Sequence, residues 1–165
     1  MFFYEDFIKK VEKKEVNPRE IEKFHLEFKK MIIWLGTGVP LILIGGFQAY
    51  MGYKDNMKIS YFIFAIVFLF IGFKHLKMIF GYGVTLNLKE QKLLSKGVDL
   101  KFDEIDSCTV KEQVIGKGSK VQIVADIITK DRRQIVIPLI MTRKVIFLAI
   151  LRRELGNRFK MIMER

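Results

Sequence analysis

From Met31 to Tyr53 the chain carries no charged side chain, a run of 23 residues. Few folds can accommodate such a run. As an α-helix rising about 1.5 Å per residue it is about 34 Å long, enough to cross a hydrocarbon core of about 30 Å. A second run, Ile59 to Phe73, has 15 uncharged residues and continues apolar through Leu76, Met78, Ile79 and Phe80, interrupted by Lys74, His75 and Lys77. Lysines at a membrane edge extend their stems and place the ammonium among headgroups, so counted to Phe80 this run also spans about 33 Å. The competing reading is a pair of buried helices in a soluble core, but a core helix rarely stays uncharged for so long. The residues Lys54–Lys58 between the runs are too few for anything but an antiparallel helical hairpin, with spans 31–53 and 59–80.

Composition narrows the remainder. Half of the 165 residues are hydrophobic and 28% are charged, which excludes a disordered chain, and one cysteine, Cys108, excludes a disulfide-stapled scaffold. Lys29 and Lys30 precede the first span and Lys74 and Lys77 close the second, whereas the link holds Lys54 and Lys58 beside Asp55. The positive-inside rule then places both termini in the cytoplasm of a cell-membrane protein that spans twice. The start, Met1 to Ile8, is acidic where a cleavable signal needs basic residues, so the first span is expected to act as its own insertion signal.

Within the spans, Gly38, Gly45 and Gly52 recur every seven residues, with Ala49 on the same stripe, and Ala65 and Gly72 repeat the interval in the second span. Small residues let membrane helices approach closely. The stripe joins either the two spans of one chain or different chains into a homo-oligomer. Pro40 is expected to kink the first span or to leave a carbonyl free near Gly36, and Trp34, Tyr50, Tyr53 and Tyr61 suit the membrane interfaces. Neither span holds an ionisable side chain between its flanking lysines, which argues against a pump or transporter.

Residues 1–30 read as an amphipathic helical arm. Phe3, Phe7 and Val11 fall four apart with Ile8 beside them, and Asn17-Pro18-Arg19-Glu20 reads as a helix start, with Val16 and Ile21 placed for a hydrophobic staple. Ile21, Phe24, His25 and Phe28 would then continue one stripe into the first span. The arm's 8 basic and 7 acidic residues nearly cancel.

After Gly81 the pattern changes to strand-like alternation over Tyr82–Leu88, Lys92–Lys96, Val98–Phe102, Ile105–Gln113, Val121–Thr129 and Gln134–Leu139. Thr142 is the expected N-cap of a closing helix over 142–155, with Ile146, Phe147, Ile150, Leu151 and Leu155 inward and Gly156 ending it. The fold class is therefore α+β: a transmembrane helical hairpin, then an antiparallel β-rich domain over 81–165 with a C-terminal helix.

That order resembles the bacterial pleckstrin-homology-like membrane proteins. The resemblance rests on Tyr82-Gly-Val-Thr-Leu-Asn-Leu-Lys-Glu-Gln-Lys-Leu-Leu94, similar to the family's opening hairpin, and on Leu100-Lys-Phe-Asp-Glu-Ile-Asp-Ser-Cys-Thr-Val110, similar to a later strand. It covers roughly 82–155, and its motifs are structural, not catalytic. The hairpins are short for a seven-stranded barrel, so one strand is either missing or supplied by a neighbouring segment. Eukaryotic relatives of that fold often bind phosphoinositides, but fold alone does not carry function.

No catalytic motif is present: no Gly-x-Ser-x-Gly, no phosphate loop, no HExxH. Cys108 has no histidine nearby in sequence, and Asp103, Glu104 and Asp106 read as solvated surface sooner than as a cation site. No enzyme, metal or cofactor is expected. Of the net charge of +11, +7 lies in residues 82–165, as 17 basic against 10 acidic. Candidate contacts for anionic lipid or a protein partner are Lys89, Lys92 and Lys96, Lys117 and Lys120, Arg132 and Arg133, and Arg152 and Arg153, with Arg158 and Lys160 following. No nucleic-acid-binding pattern accompanies this charge. The expected function is a non-enzymatic membrane-anchored interaction or scaffold module, the alternative being anionic headgroup binding. Its partners would be the bilayer itself and either a second copy of the chain or another protein, membrane-bound or cytoplasmic.

Overall fold

Two apolar periodicities divide the chain, and the computed structural model, which describes residues 2–56, 58–114 and 121–162, follows them with one rearrangement. The long apolar runs are α2 (Phe28–Lys54) and α3 (Ile59–Phe80), of 27 and 22 residues, and they pack on each other as a hairpin. Helix α2 runs unbroken through Pro40, which faces outward. Both helices are long and apolar enough to cross a membrane.

The rearrangement concerns the arm. Helix α1 (Phe2–Glu12) forms as expected and buries Tyr4, Phe7, Ile8 and Val11, one stripe at helical spacing. The second expected helix does not form. Asn17, Pro18 and Arg19 lie in irregular chain, and Ile21–His25 is a strand, β1. Its side chains alternate: Phe24 and Glu22 are buried, while Ile21 is 51% exposed. Local capping chemistry favoured a helix there, but pairing with a distant strand satisfies the backbone groups along one edge and places Phe24 in the core.

That distant strand is β2 (Gly83–Asn87), antiparallel to β1 in the register Ile21↔Asn87 to His25↔Gly83. The hairpin is thus inserted between two neighbouring strands. The compact unit outside it is discontinuous, residues 1–25 plus 83–165, rather than 81–165 alone. Strands β3 (Lys92–Ser95) and β4 (Val98–Lys101) complete a sheet of order β1-β2-β3-β4. Gly97, at φ +76°, makes the turn between them, a conformation that side chains with a Cβ rarely adopt.

A 3-10 turn at Phe102–Glu104 leads into the second sheet, β7-β6-β5-β8, from β5 (Ile105–Val114), β6 (Val121–Thr129), β7 (Gln134–Pro138) and β8 (Phe159–Met161). Strand β8 pairs with β5 in parallel over three residues, Cys108–Val110. The phenolic hydroxyl of Tyr4 lies 3.0 Å from both the Val110 and Ile162 carbonyls, so α1 pins this added strand.

Helix α4 (Lys144–Leu155) starts two residues later than the expected Thr142 cap. Arg143 precedes it in the left-handed region at φ 54°, and Thr142 instead donates its backbone N–H to the His25 carbonyl at 2.8 Å. Phe147, Ile150, Leu151 and Leu155 are buried as expected, and Ile146 is only half-buried. Leu148 and Ala149 are buried too, because α1 packs on α4.

If β1 belongs to the β unit, a short turn should replace the hairpin. The variant joining His25 to Gly83 through Asn-Gly, a pair suited to two-residue hairpins, is expected to be soluble and to show cooperative thermal unfolding by circular dichroism. The fragment 83–165, which lacks β1 and α1, should aggregate or remain unfolded. Equal folding of the two would contradict the β1–β2 pairing.

Candidate functional site

The small-residue stripe lies inside the helical hairpin. Gly38, Gly45 and Gly52 of α2 and Ala65 and Gly72 of α3 are buried, and Ala49 is half-buried at the flank. A Cβ at Gly72 would sit 2.6 Å from Ile42 Cγ1 and 3.1 Å from the Ile42 nitrogen; one at Gly45 would sit 3.0 Å from the Leu69 nitrogen. Backbone atoms cannot step aside as a flexible side-chain end can, so these glycines set the helix separation. The stripe thus joins the two helices of one chain. Gly36 and Gly46 face open space. Gly72→Val is expected to lower the thermal midpoint of the detergent-solubilised chain, by overpacking worth about 1–3 kcal/mol, and Gly46→Val to leave it nearly unchanged. The reverse order would place the seam elsewhere.

The β unit has two distinct ends. At one, the chain leaves after His25 and returns at Gly83; Ser95 hydrogen-bonds to the Gly83 carbonyl and Thr142 to that of His25. Lys96 and Lys144 lie at this end. The other end gathers around the 3-10 turn: Phe102 donates its N–H to Gln91 of the β2–β3 turn, Lys130 to Glu104, and Arg158 reaches the Phe102 and Ile105 carbonyls at 2.9 and 2.6 Å. Lys89, Lys92, Arg132 and Arg133 belong here, and α4 ends here with Arg152 and Arg153. The expected basic residues therefore do not form one patch. Lys117 and Lys120 lie outside the described residues.

Several of these cations already have partners. Lys92 pairs with Glu90 at 3.4 Å, Arg133 with Asp131, and Arg153 with Glu154 at 2.7 Å. Arg152 donates to the Glu12 carbonyl at 2.7 Å and Arg153 to that of Val16 at 3.5 Å, so both fasten the arm to α4. Exposed pairs of this kind contribute little stability.

The groups with chemical potential are spent structurally or kept apart. Cys108 is fully buried, and burial, with the nearby Asp126 charge, pushes its thiol up to about 12. At neutral pH such a thiol stays protonated, and the protonated form is a poor nucleophile. The Glu104 carboxylate accepts the Lys101 backbone N–H at 3.0 Å, and Asp103 and Asp106 are exposed. Among the described residues no group of three His, Cys, Asp or Glu could hold a metal ion.

Two arrangements escaped the sequence reading. Arg143 bonds Glu22 at 2.9 Å and the Lys23 carbonyl at 3.1 Å, and its guanidinium lies 5.2 Å from the centre of the Phe24 ring. Phe24 in turn meets Phe147 edge-on at 5.2 Å. This clamp holds β1 to the start of α4; its partners are some 120 positions apart, so no local pattern announces it. The other is Asp126, buried on β6 between Lys111 at 2.6 Å and Gln134 at 2.8 Å. An acid in an apolar strand was the available signal.

Burial alone would raise the Asp126 carboxyl, but hydrogen bonds from Lys111 and Gln134 and the lysine charge outweigh it and hold the group below its usual value. A depressed folded pKa stabilises fully above the unfolded value of about 4, and the contribution is lost as pH falls through the folded one. In the chain lacking the hairpin, Asp126→Asn should cost roughly 2 kcal/mol near pH 7, with the difference narrowing below about pH 4. Urea midpoints measured against pH check this; a difference unchanged down to pH 2 would contradict it.

No known protein family, curated protein or solved structure matches the chain.

Proposed function

We propose that this chain is a non-enzymatic, membrane-anchored interaction module. The α2–α3 hairpin is its anchor, spanning the cell membrane twice. The β unit is a pleckstrin-homology-like domain displayed in the cytoplasm, where it holds a protein partner or a second copy of the chain. The observation that carries the reading is the insertion of the hairpin between β1 and β2. Only two residues join β1 to α2 and two join α3 to β2.

Support for the anchor comes from the outward faces of the helices. Ile33, Leu43, Ile66 and Phe70 are each at least 65% exposed, an apolar surface that water does not tolerate on this scale. The lysine asymmetry favours cytoplasmic termini, and Asp55 pairs with Lys58 in the hairpin loop at 2.8 Å, so that end is partly neutralised. Support for the pleckstrin-homology-like reading comes from the strand order: four strands, then an antiparallel β5–β7 set, then one helix, with the strand absent from 82–155 supplied by the arm. The inert Cys108 and the lack of a metal-capable cluster among the described residues favour binding over catalysis.

A second reading, contact with anionic headgroups, is favoured by Lys96 and Lys144, at the end of the β unit where the chain leaves for the hairpin.

One set of single-cysteine variants, built on Cys108→Ala to remove the buried native thiol, tests both. In intact cells a membrane-impermeant maleimide should label Asn56→Cys, and Lys89→Cys only after permeabilisation. Labelling of Lys89→Cys from outside overturns the orientation, and release of the chain by alkaline carbonate overturns the anchor. A polarity-sensitive dye on Lys96→Cys should respond to salt in anionic vesicles and not in zwitterionic ones; identical signals remove the headgroup reading.

A further inference from the structure

We infer that the groove where the end of α1 meets the end of α4 docks an acidic peptide segment of a soluble protein partner. The inference rests on the display reading above and says where the partner binds. The groove, about 460 Å3, is lined by Lys14, Glu15, Val16, Ala149, Arg152 and Arg153. A neighbouring hollow shares Lys14 and adds Lys9, Lys10 and Lys13, with Asp6 at its rim. Together they form a cationic surface whose floor is the half-buried Val16 over the buried Ala149.

Three features set this surface apart. The first is its unspent charge. Among the described residues no ion pair uses Lys9, Lys10, Lys13, Lys14 or Arg152, and the same is true of Lys89, Lys96, Lys130 and Lys144; what distinguishes the groove is that five such cations converge on it and on the hollow beside it. All four lysines are exposed. Cations at a helix C-terminus are favourable, but that effect falls off within the last turn and explains only some of them. The second is preorganisation. The Arg152 Nη1 is held by the Glu12 carbonyl at 2.7 Å, which fixes the guanidinium while leaving other N–H groups free. The third is position. Helix α4 starts beside His25, where the chain leaves for the hairpin, and its 12 residues carry it about 18 Å to the other end of the β unit. The groove therefore lies at the opposite end of the β unit from the residues where the chain leaves for the hairpin.

The spread of the cations selects the ligand class. Lys9 and Lys10 stand in the last turn of α1, Lys13 and Lys14 follow just after it, and Arg152 stands across the groove on α4. A single phosphate would meet one or two of them. An extended acidic segment, rising about 3.3 Å per residue, meets several in turn and can lay an apolar side chain on the floor. Glu15 and Asp6 at the rims oppose binding where the segment is acidic beside them, and so restrict which sequences fit.

The test uses the full chain in zwitterionic nanodiscs, which leave both faces accessible, so the result does not depend on membrane orientation. The probe is a fluorescent deca-glutamate peptide, with deca-glutamine as the neutral control and inorganic phosphate as competitor. Deca-glutamate is expected to bind more tightly than deca-glutamine and to weaken as salt rises. The variant Lys13→Glu/Lys14→Glu should weaken binding roughly tenfold or more, whereas the charge-matched Lys89→Glu/Lys130→Glu should change it less than about twofold. Millimolar phosphate should not displace the peptide. Equal loss in both double variants would mean diffuse charge attraction, displacement by phosphate would mean a small-anion site, and equal binding of the two peptides would mean no site; each overturns the inference. Circular dichroism of the variants confirms that the exposed substitutions leave the fold intact.

Discussion

The pairing of β1 with β2 is the constraint on which the rest depends. Five residues on each side form the ladder, and 57 residues of helical hairpin separate its ends, from Leu26 to Tyr82. Closing so long an insertion costs conformational entropy, but that cost grows only slowly with length. It is offset here because the insertion has internal order: the two helices already bring their ends together through the glycine seam. The hairpin thus acts on the β unit as a tight turn would, and the first sheet gains its edge strand.

From that pairing follows the way the β unit is closed. Strand β1 brings Glu22 and Phe24 beneath Arg143, which ties the arm to the start of α4. Farther along, Arg152 and Arg153 bond to carbonyls of the arm near the end of α4, and Tyr4 reaches the carbonyls of β5 and the β8 end. The arm therefore touches α4 at both ends and closes over residues that would otherwise be exposed, among them Leu148 and Ala149. Arginine suits these junctions because its planar fork can hold a carbonyl and a carboxylate together, as Arg143 and Arg153 both do.

The same architecture sorts the basic residues. A net charge of +11 invites a single electrostatic role. The fold instead sends Lys96 and Lys144 to one end of the β unit and Lys89, Arg132 and Arg152 to the other, and among the described residues no ion pair uses Lys9 or Lys10 of α1. We read the first group as facing headgroups and the α1–α4 group as facing a soluble partner. Charge attracts in both places, and the second also lines a groove.

Much of this was legible in the residues. The uncharged runs defined both helices nearly to the residue, because length and the absence of charge are properties of a segment by itself. The seven-residue glycine spacing identified the helix seam, and period-2 alternation located β2 to β7, because each reports one face of one element. What the residues of 17–25 could not reveal was their partner. Asn17-Pro18 and Glu20 satisfy local rules for a helix start, and only the free edge of β2, more than fifty residues away, makes a strand the better use of Ile21–His25. The Arg143 clamp, the burial of Asp126 and the sorting of lysines to two ends are invisible for the same reason. The sequence by itself determined α1, the two apolar spans, β2 to β7 and the closing helix, since local spacing and side-chain chemistry decide those. Only the tertiary structure decided that the arm belongs to the β unit and which charges remain unpaired, since those depend on which distant backbone edges and side chains meet.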